Sequence, residues 1–92
     1  MMRIDKFLKM SRLVKRRTVA QEMIEIGAVR INERSCKSSG EVIEGSVIDV
    51  AYAARTLKVK VLCADEALLK RPQTAAYEII EERAVSSSEK PW

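Results

Sequence analysis

The sequence predicts an α+β fold in which two N-terminal helices pack against one side of a small, mainly antiparallel sheet. Apolar residues recur at helical spacing as far as Ile26, and beyond Gly27 the spacing changes to the alternation typical of β-strands. The chain has 92 residues, of which 47% are hydrophobic. This length and composition favour one small domain with a modest core.

The first predicted helix runs from about Arg3 to Met10. Ile4, Phe7 and Leu8 follow the spacing i, i+3, i+4 and should face the interior. Phe7 is therefore expected to be a core residue rather than a platform for stacking a nucleic-acid base. Every third residue on another stripe of this helix is basic: Arg3, Lys6 and Lys9.

The second predicted helix begins near Thr18 and ends before Gly27. Thr18 and Gln21 have the spacing of a capping box, and glycine is typical of a left-handed helix C-terminus. Lys15, Arg16 and Arg17 directly precede this helix. Cations beside the positive end of a helix dipole disfavour folding, so a bound phosphate would relieve the conflict.

Alternating residues downstream predict several short strands. The first covers Val29 to Ile31, and a turn over residues 32–35 leads to a short returning strand at Cys36 and Lys37. Two further strands are predicted from Val47 to Val50 and from Arg55 to Leu62.

The last third of the chain carries weaker signals. Residues 65–71 favour a turn of helix that stops before Pro72. Residues 74–82 favour a short helix that packs back on the domain, with a strand from Tyr77 onward as the alternative. Residues 86–88 and those that follow indicate a frayed tail.

Charge is distributed unevenly along the chain. Residues 1–40 contain ten basic and four acidic residues, a net charge of +6, whereas residues 41–92 contain seven and nine, a net charge of −2. This split indicates a polyanionic partner for the N-terminal part. Nucleic acid is favoured over a membrane because the basic face carries few large apolar residues.

The sequence also favours a cytoplasmic protein without metal or cofactor. No apolar run approaches the ~20 residues of a membrane span, and the N-terminus lacks the apolar run of a signal peptide. Cys36 and Cys63 lie far apart in a chain without histidine, which favours reduced thiols. A disulfide or a zinc site is the weaker alternative.

Six features follow one another in a recognisable order. They are R-x-D-K-F-L, S-R-L-x-K-R-R-T, an amphipathic helix ending in glycine, V-x-I-N, a lysine and E-G-S-V-I. This order resembles the RNA-binding domain named after small-subunit ribosomal protein four, the alpha-L motif. The resemblance places that domain in residues 1–62 and a C-terminal extension, with a short helix and the frayed tail, in residues 63–92. Length, the opening segment and an Ala-Tyr-Glu-Ile-Ile run resemble the free-standing RqcP family, which is related to the fifteen-kilodalton heat-shock proteins.

The resemblance implies a function and a set of residues. RqcP-like members are implied to bind large-subunit rRNA on obstructed large ribosomal subunits that hold peptidyl-tRNA, beside an RqcH-type factor that adds C-terminal alanine tails. Carried over by position, with Lys9 added from the basic stripe, the RNA-binding residues are Arg3, Lys6, Lys9, Ser11, Arg12, Lys15, Arg16, Arg17 and Thr18, then Arg30, Asn32 and Lys37 on a strand edge. Many members have glycine in the turn after Asn32, where this chain has Glu33 and Arg34.

Three other functions fit the sequence less well. A general rRNA-binding assembly or heat-shock recycling factor is the nearest alternative. A DNA-binding helix-turn-helix is disfavoured because the second helix exposes Glu22 and Glu25, which would repel phosphates. An enzyme is disfavoured because no catalytic constellation is visible. Asp5 is expected to stabilise the N-terminus of the first helix through the helix dipole, or to orient a neighbouring arginine.

Overall fold

The computed structural model describes residues 1–86 and residue 92. Within them the helices are α1 (Ile4–Met10), α2 (Arg17–Glu25) and α3 (Glu66–Leu69). The strands are β1 (Met2–Arg3), β2 (Val29–Ile31), β3 (Arg34–Ser35), β4 (Glu41–Val42), β5 (Val47–Ala51), β6 (Arg55–Val61) and β7 (Tyr77–Ala84).

The main sheet has five strands in the order β3-β2-β5-β6-β7, and every pair in it is antiparallel. β1 and β4 form a separate antiparallel ladder just ahead of α1. The predicted α+β class, with helices packed on a mainly antiparallel sheet, is confirmed.

The core joins the two helices to one face of the sheet. Its buried residues form one cluster, with Ile4, Phe7 and Leu8 from α1 and Ala20 and Ile24 from α2. The sheet contributes alternate residues: Val29, Ile48, Val50, Leu57, Val59 and Val61. Phe7 has no exposed surface, so its predicted place in the core is confirmed.

The opposite face of the sheet carries a row of alternating charges. Arg30 lies opposite Asp49, Asp49 opposite Lys58, and Lys58 opposite Glu81. The Arg30 guanidinium is 3.3 Å from the Asp49 carboxylate. Trp92 covers this pair, with its ring centroid 4.4 Å from the Arg30 guanidinium carbon and its indole N–H donating to the Gly27 carbonyl at 3.1 Å.

The predicted helix over residues 74–82 is wrong, and the alternative strand is present as β7. β7 pairs along all of β6, but the register shifts between Lys58 and Val59, so that Ile80 is an extra residue. Such a bulge breaks the alternation that marks a strand. Ile79 and Ile80 are both about half exposed, since β7 is an edge strand with few core positions.

The returning strand after β2 begins earlier than predicted, at Arg34 rather than at Cys36. Ile31 pairs directly with Arg34, which leaves Asn32 and Glu33 as a two-residue turn. Their φ angles are 50° and 67°, as a type I′ hairpin turn requires. Glutamate rarely adopts this conformation, so the turn was hard to recognise.

The end of α2 agrees with the prediction made from Gly27. Gly27 has a φ of 82°, and its N–H donates to the Ile24 carbonyl at 3.1 Å. The Ala28 N–H donates to the Met23 carbonyl at 2.8 Å. These two hydrogen bonds form a Schellman motif that turns the chain into β2. The predicted frayed tail falls largely on residues 87–91, which lie outside the described residues.

Candidate nucleic-acid interface

The link between α1 and α2, residues 11–16, is held firmly against the core. Leu13 and Val14 are buried, and the Val14 N–H donates to the Leu8 carbonyl at 3.0 Å. The Tyr52 hydroxyl donates to the Leu13 carbonyl at 2.7 Å. Arg12 has a φ of 67°, which is uncommon for a non-glycine residue. Cations on this link therefore extend from a fixed backbone.

A buried carboxylate joins the two helices beneath the basic surface. Asp5 has no exposed surface, and it accepts hydrogen bonds from the Lys6 N–H at 2.8 Å and from the Gln21 amide at 2.8 Å. It also forms ion pairs with Arg3 and Arg17, each with a nitrogen–oxygen distance of 3.2 Å. Both arginines stay nearly half exposed, so Asp5 orients them without removing them from solvent.

The environment of Asp5 favours its charged form. Burial by itself raises the pKa of Asp5, but the hydrogen bonds from Gln21, Arg17 and the Lys6 N–H and the positive charge of Arg17 outweigh it. The pKa therefore lies below its ordinary value. Asp5 thus has both roles expected from the sequence, at the start of α1 and as a partner of arginine.

The predicted capping box is wrong. α2 begins at Arg17, its N-cap is Arg16, and no side chain caps it there. Gln21 binds Asp5 instead of reaching back to the helix start, because the buried carboxylate needs donors. Thr18 lies exposed in the first turn of α2.

The cations of this surface fall into two groups. Arg3 and Arg17 are held by Asp5, and Lys6 donates to Glu66 at 2.5 Å. Within the described residues no ion pair is formed by Lys9, Arg12, Lys15 or Arg16. This second group keeps its charge available for an external anion. Ser11, by contrast, donates its hydroxyl to the Leu8 carbonyl at 3.2 Å.

The structure does not bring Arg30 and Asn32 to the helical surface. Arg30 lies on the outer face of the sheet between Asp49 and Trp92. The Asn32 side-chain oxygen accepts from the Val47 N–H at 2.9 Å and so stabilises the hairpin. Lys37 is exposed in the loop after β3. Arg30 and Asn32 are therefore both engaged within the sheet, whereas the loop that carries Lys37 reaches the start of α1, where the Ile4 N–H donates to the Gly40 carbonyl at 2.6 Å.

The chain is similar in sequence to known proteins. Residues 2–48 match the S4 domain family. The RQC P-site tRNA stabilizing factor of Halalkalibacterium halodurans is 36% identical over 88 residues, which covers 96% of this chain and 100% of the relative. The protein of the same name from Streptococcus pneumoniae is 37% identical over 87 residues, covering 95% and 99%. The chain belongs to the family of these S4-domain factors.

A solved structure supports the fold of this S4-domain factor. Heat Shock Protein 15 of Vibrio cholerae matches with a TM-score of 0.72 over 84% of this chain and 79% of that chain. The two sequences are 23% identical, so this likeness concerns the fold alone. Together with the S4 match, it confirms the alpha-L fold that the sequence motifs predict.

Sequence reasoning missed two basic residues of the S4-domain factor that lie beside the helical link. Lys70 lines two surface hollows that Arg12 also lines, and Arg71 lines one of them, although both follow Arg12 by almost sixty residues. The available signal was the Lys-Arg pair just before Pro72, at the end of a short predicted helix. Residues 41–92 have a net negative charge, so a basic pair within them did not indicate a nucleic-acid contact.

Two kinds of feature are absent from the described residues: a membrane-spanning helix and a metal-binding group. None of their helices has the length and apolar character needed to cross a membrane. Among these same residues, no group of histidine, cysteine, aspartate or glutamate side chains is arranged to hold a metal ion. Cys36 and Cys63 are both free thiols.

Proposed function

We propose that the protein binds RNA on obstructed large ribosomal subunits, where it contacts large-subunit rRNA and peptidyl-tRNA. In this role it supports ribosome quality control, beside an RqcH-type factor that adds alanine tails to stalled nascent chains. It acts in the cytoplasm as a binding protein and not as an enzyme. The relatives named as P-site tRNA stabilizing factors support this role.

The observation that carries the proposal is the group of unpaired cations on a rigid backbone. Lys9, Arg12, Lys15 and Arg16 extend from α1 and from a link anchored by buried Leu13 and Val14. Because the backbone that carries them is fixed before binding, phosphates can be bound with little loss of backbone conformational entropy. Folded RNA offers such phosphates at fixed positions, and A-form helices are recognised mainly by shape, phosphates and the 2′-hydroxyl.

The chain is poorly suited to single-stranded nucleic acid. Aromatic residues make up 4% of the sequence, and Phe7 is fully buried. Tyr52 is bound to the link through its hydroxyl, and Trp92 packs on Arg30. Binding of single strands depends on stacking of successive bases on exposed aromatic side chains, so structured RNA is the better ligand.

The test is co-sedimentation of the full chain with large subunits in sucrose gradients, with and without stalled translation. We expect the wild type to move with large subunits, more so under stalling. The double variant Lys15→Ala, Arg16→Ala should stay at the top of the gradient while remaining folded. The double variant Arg34→Ala, Lys60→Ala is the matched control, because it removes two exposed cations elsewhere that form no ion pair with any residue the structure describes.

Two outcomes would overturn the proposal. One is a wild-type protein that stays at the top under stalling, and the other is one that moves with the small subunit. Deletion of the gene should reduce alanine tails on stalled chains without changing bulk translation. Defective subunit assembly with normal alanine tails would instead favour a general rRNA-binding assembly factor.

A further inference from the structure

We propose that residues 69–77 form the second wall of a groove that holds RNA phosphates, with Lys70 and Arg71 facing the α1–α2 link. This inference rests on the proposed RNA-binding function and extends it to the C-terminal part of the chain. The groove lies between the link on one side and α3 with the turn after it on the other.

The groove consists of two adjoining hollows. One is about 400 Å³ and the other about 560 Å³, and they share Met10, Arg12, Leu69 and Lys70 in their walls. Arg71 lines the first hollow. Lys9 and Lys15 line the second: both come from the segment already proposed to bind RNA. The groove is therefore continuous with the helical basic surface.

The second wall is held in place by contacts with α1 and with its own helix. Lys6 of α1 donates to Glu66 of α3 at 2.5 Å. The Asp65 carboxylate caps α3 by accepting from the Leu68 N–H at 3.1 Å, and Leu69 packs against the core. Lys70 and Arg71 directly follow α3, so these contacts set the position of their backbone before any ligand binds.

The electrostatics of the groove favour an anion. No acidic residue lines either hollow among the described residues. Arg71 forms no ion pair with any of the described residues. Lys70 forms one long ion pair, with a nitrogen–oxygen distance of 3.8 Å to Glu66. Glu66 is already bound by Lys6, which holds the pKa of Glu66 below its ordinary value. The positive charge of Lys70 is therefore only partly neutralised.

A phosphodiester backbone fits this chemistry better than an isolated anion. The cations are spread along both walls, so they can contact several successive phosphates at once. Arginine binds phosphate oxygens in a bidentate manner, and lysine acts as a compact charge. The apolar floor, formed by Met10, Leu69, Ala76 and Tyr77, can contact ribose between the phosphates.

The experiment uses the full chain carrying Lys70→Gln, Arg71→Gln. Its matched control is Arg34→Gln, Lys60→Gln, which removes the same charge from exposed residues outside the groove. Affinity for fluorescently labelled tRNA, and separately for large subunits without tRNA, is measured over a series of salt concentrations. Thermal unfolding establishes that each variant is folded.

We expect weaker binding of the Lys70, Arg71 variant to at least one of the two RNAs. The slope of log affinity against log salt should become shallower by about two, one for each lost phosphate contact. A loss with tRNA assigns the groove to tRNA phosphates, and a loss with empty subunits assigns it to rRNA phosphates. The control should keep the wild-type slope.

The inference is overturned if the variant keeps wild-type affinity and slope with both RNAs. It is also overturned if the control loses as much as the variant, since the effect would then be one of net charge. Neither result affects the proposed function, because wild-type binding to large subunits is measured in the same series. Failure of the wild type to bind would instead overturn the proposed function.

Discussion

The Asp5 carboxylate and the Arg17 guanidinium lie 3.2 Å apart, although twelve residues separate them in the chain. This ion pair connects the first turn of α1 to the first residue of α2. Gln21, one turn further along α2, donates to the same carboxylate. One buried acidic group thus links the two helices, and it orients the Arg17 side chain.

Replacing Asp5 should destabilise the fold. Asp5→Asn keeps the size of the side chain but removes the charge that Arg3 and Arg17 bind. We expect a loss of about 1–3 kcal/mol in the free energy of unfolding, the usual cost of leaving buried polar partners unsatisfied. Chemical denaturation measures it. Glu82→Gln, which breaks a solvent-exposed pair with Arg55, is the control and should have little effect; an equal loss in both would contradict the prediction.

The contribution of Asp5 should depend on pH. Its pKa is lowered in the folded state, so its stabilisation is fully present above the unfolded pKa, about 4. That stabilisation is lost as the pH falls through the lower folded pKa. The difference in unfolding free energy between the wild type and Asp5→Asn should therefore be constant down to about pH 5 and shrink below about pH 4. A difference that grows with acidification would have the wrong sign.

Arg16 and Arg17 should respond differently to replacement by alanine. Both substitutions should weaken RNA binding, because each removes a cation from the proposed RNA-binding surface. Arg17→Ala should also lower the melting temperature, since Asp5 loses an ion-pair partner. Arg16→Ala should leave it unchanged, because Arg16 is exposed and forms no ion pair among the described residues. Equal melting temperatures for the two variants would show that the Asp5–Arg17 pair contributes nothing to stability.

The β2–β3 turn offers a stabilising substitution. Glu33 has a φ of 67°, a conformation that glycine adopts without steric cost. Glu33→Gly should stabilise the protein by about 0.5–1 kcal/mol, which is part of the cost of a left-handed non-glycine residue. The lost contact with Lys58, 3.5 Å long and solvent-exposed, should offset little. Thermal unfolding tests this prediction. The control is Glu44→Gly, in the turn between β4 and β5, which should not stabilise the protein.

The core and the helical surface could be predicted because their signals are local. The spacing of Ile4, Phe7 and Leu8 identified the buried face of α1, and Gly27 marked the end of α2. Basic residues on the remaining positions of the same segment then had to face outward.

Other features could not be predicted because they depend on partners distant in sequence. Gln21 has the spacing of a capping residue, but a carboxylate sixteen residues away competes for it. Arg30 belongs to the V-x-I-N motif, from which RNA binding was predicted. However, Asp49 and Trp92 hold it on the face of the sheet that points away from the helices. Lys70 and Arg71 lie beside the α1–α2 link because the Lys6–Glu66 ion pair joins α3 to α1 and Leu69 packs against the core.

The alternating row of charges across the outer face of the sheet has a consequence for molecular encounter. Arg30, Asp49, Lys58 and Glu81 neutralise one another, so that row exerts little net attraction on a distant polyanion. The unpaired cations of the helical side attract it strongly. In the proposed RNA-binding role, this asymmetry of charge would turn the protein in the field of the RNA before contact, so that the helical side leads. That orientation would leave the outer face of the sheet pointing away from the RNA.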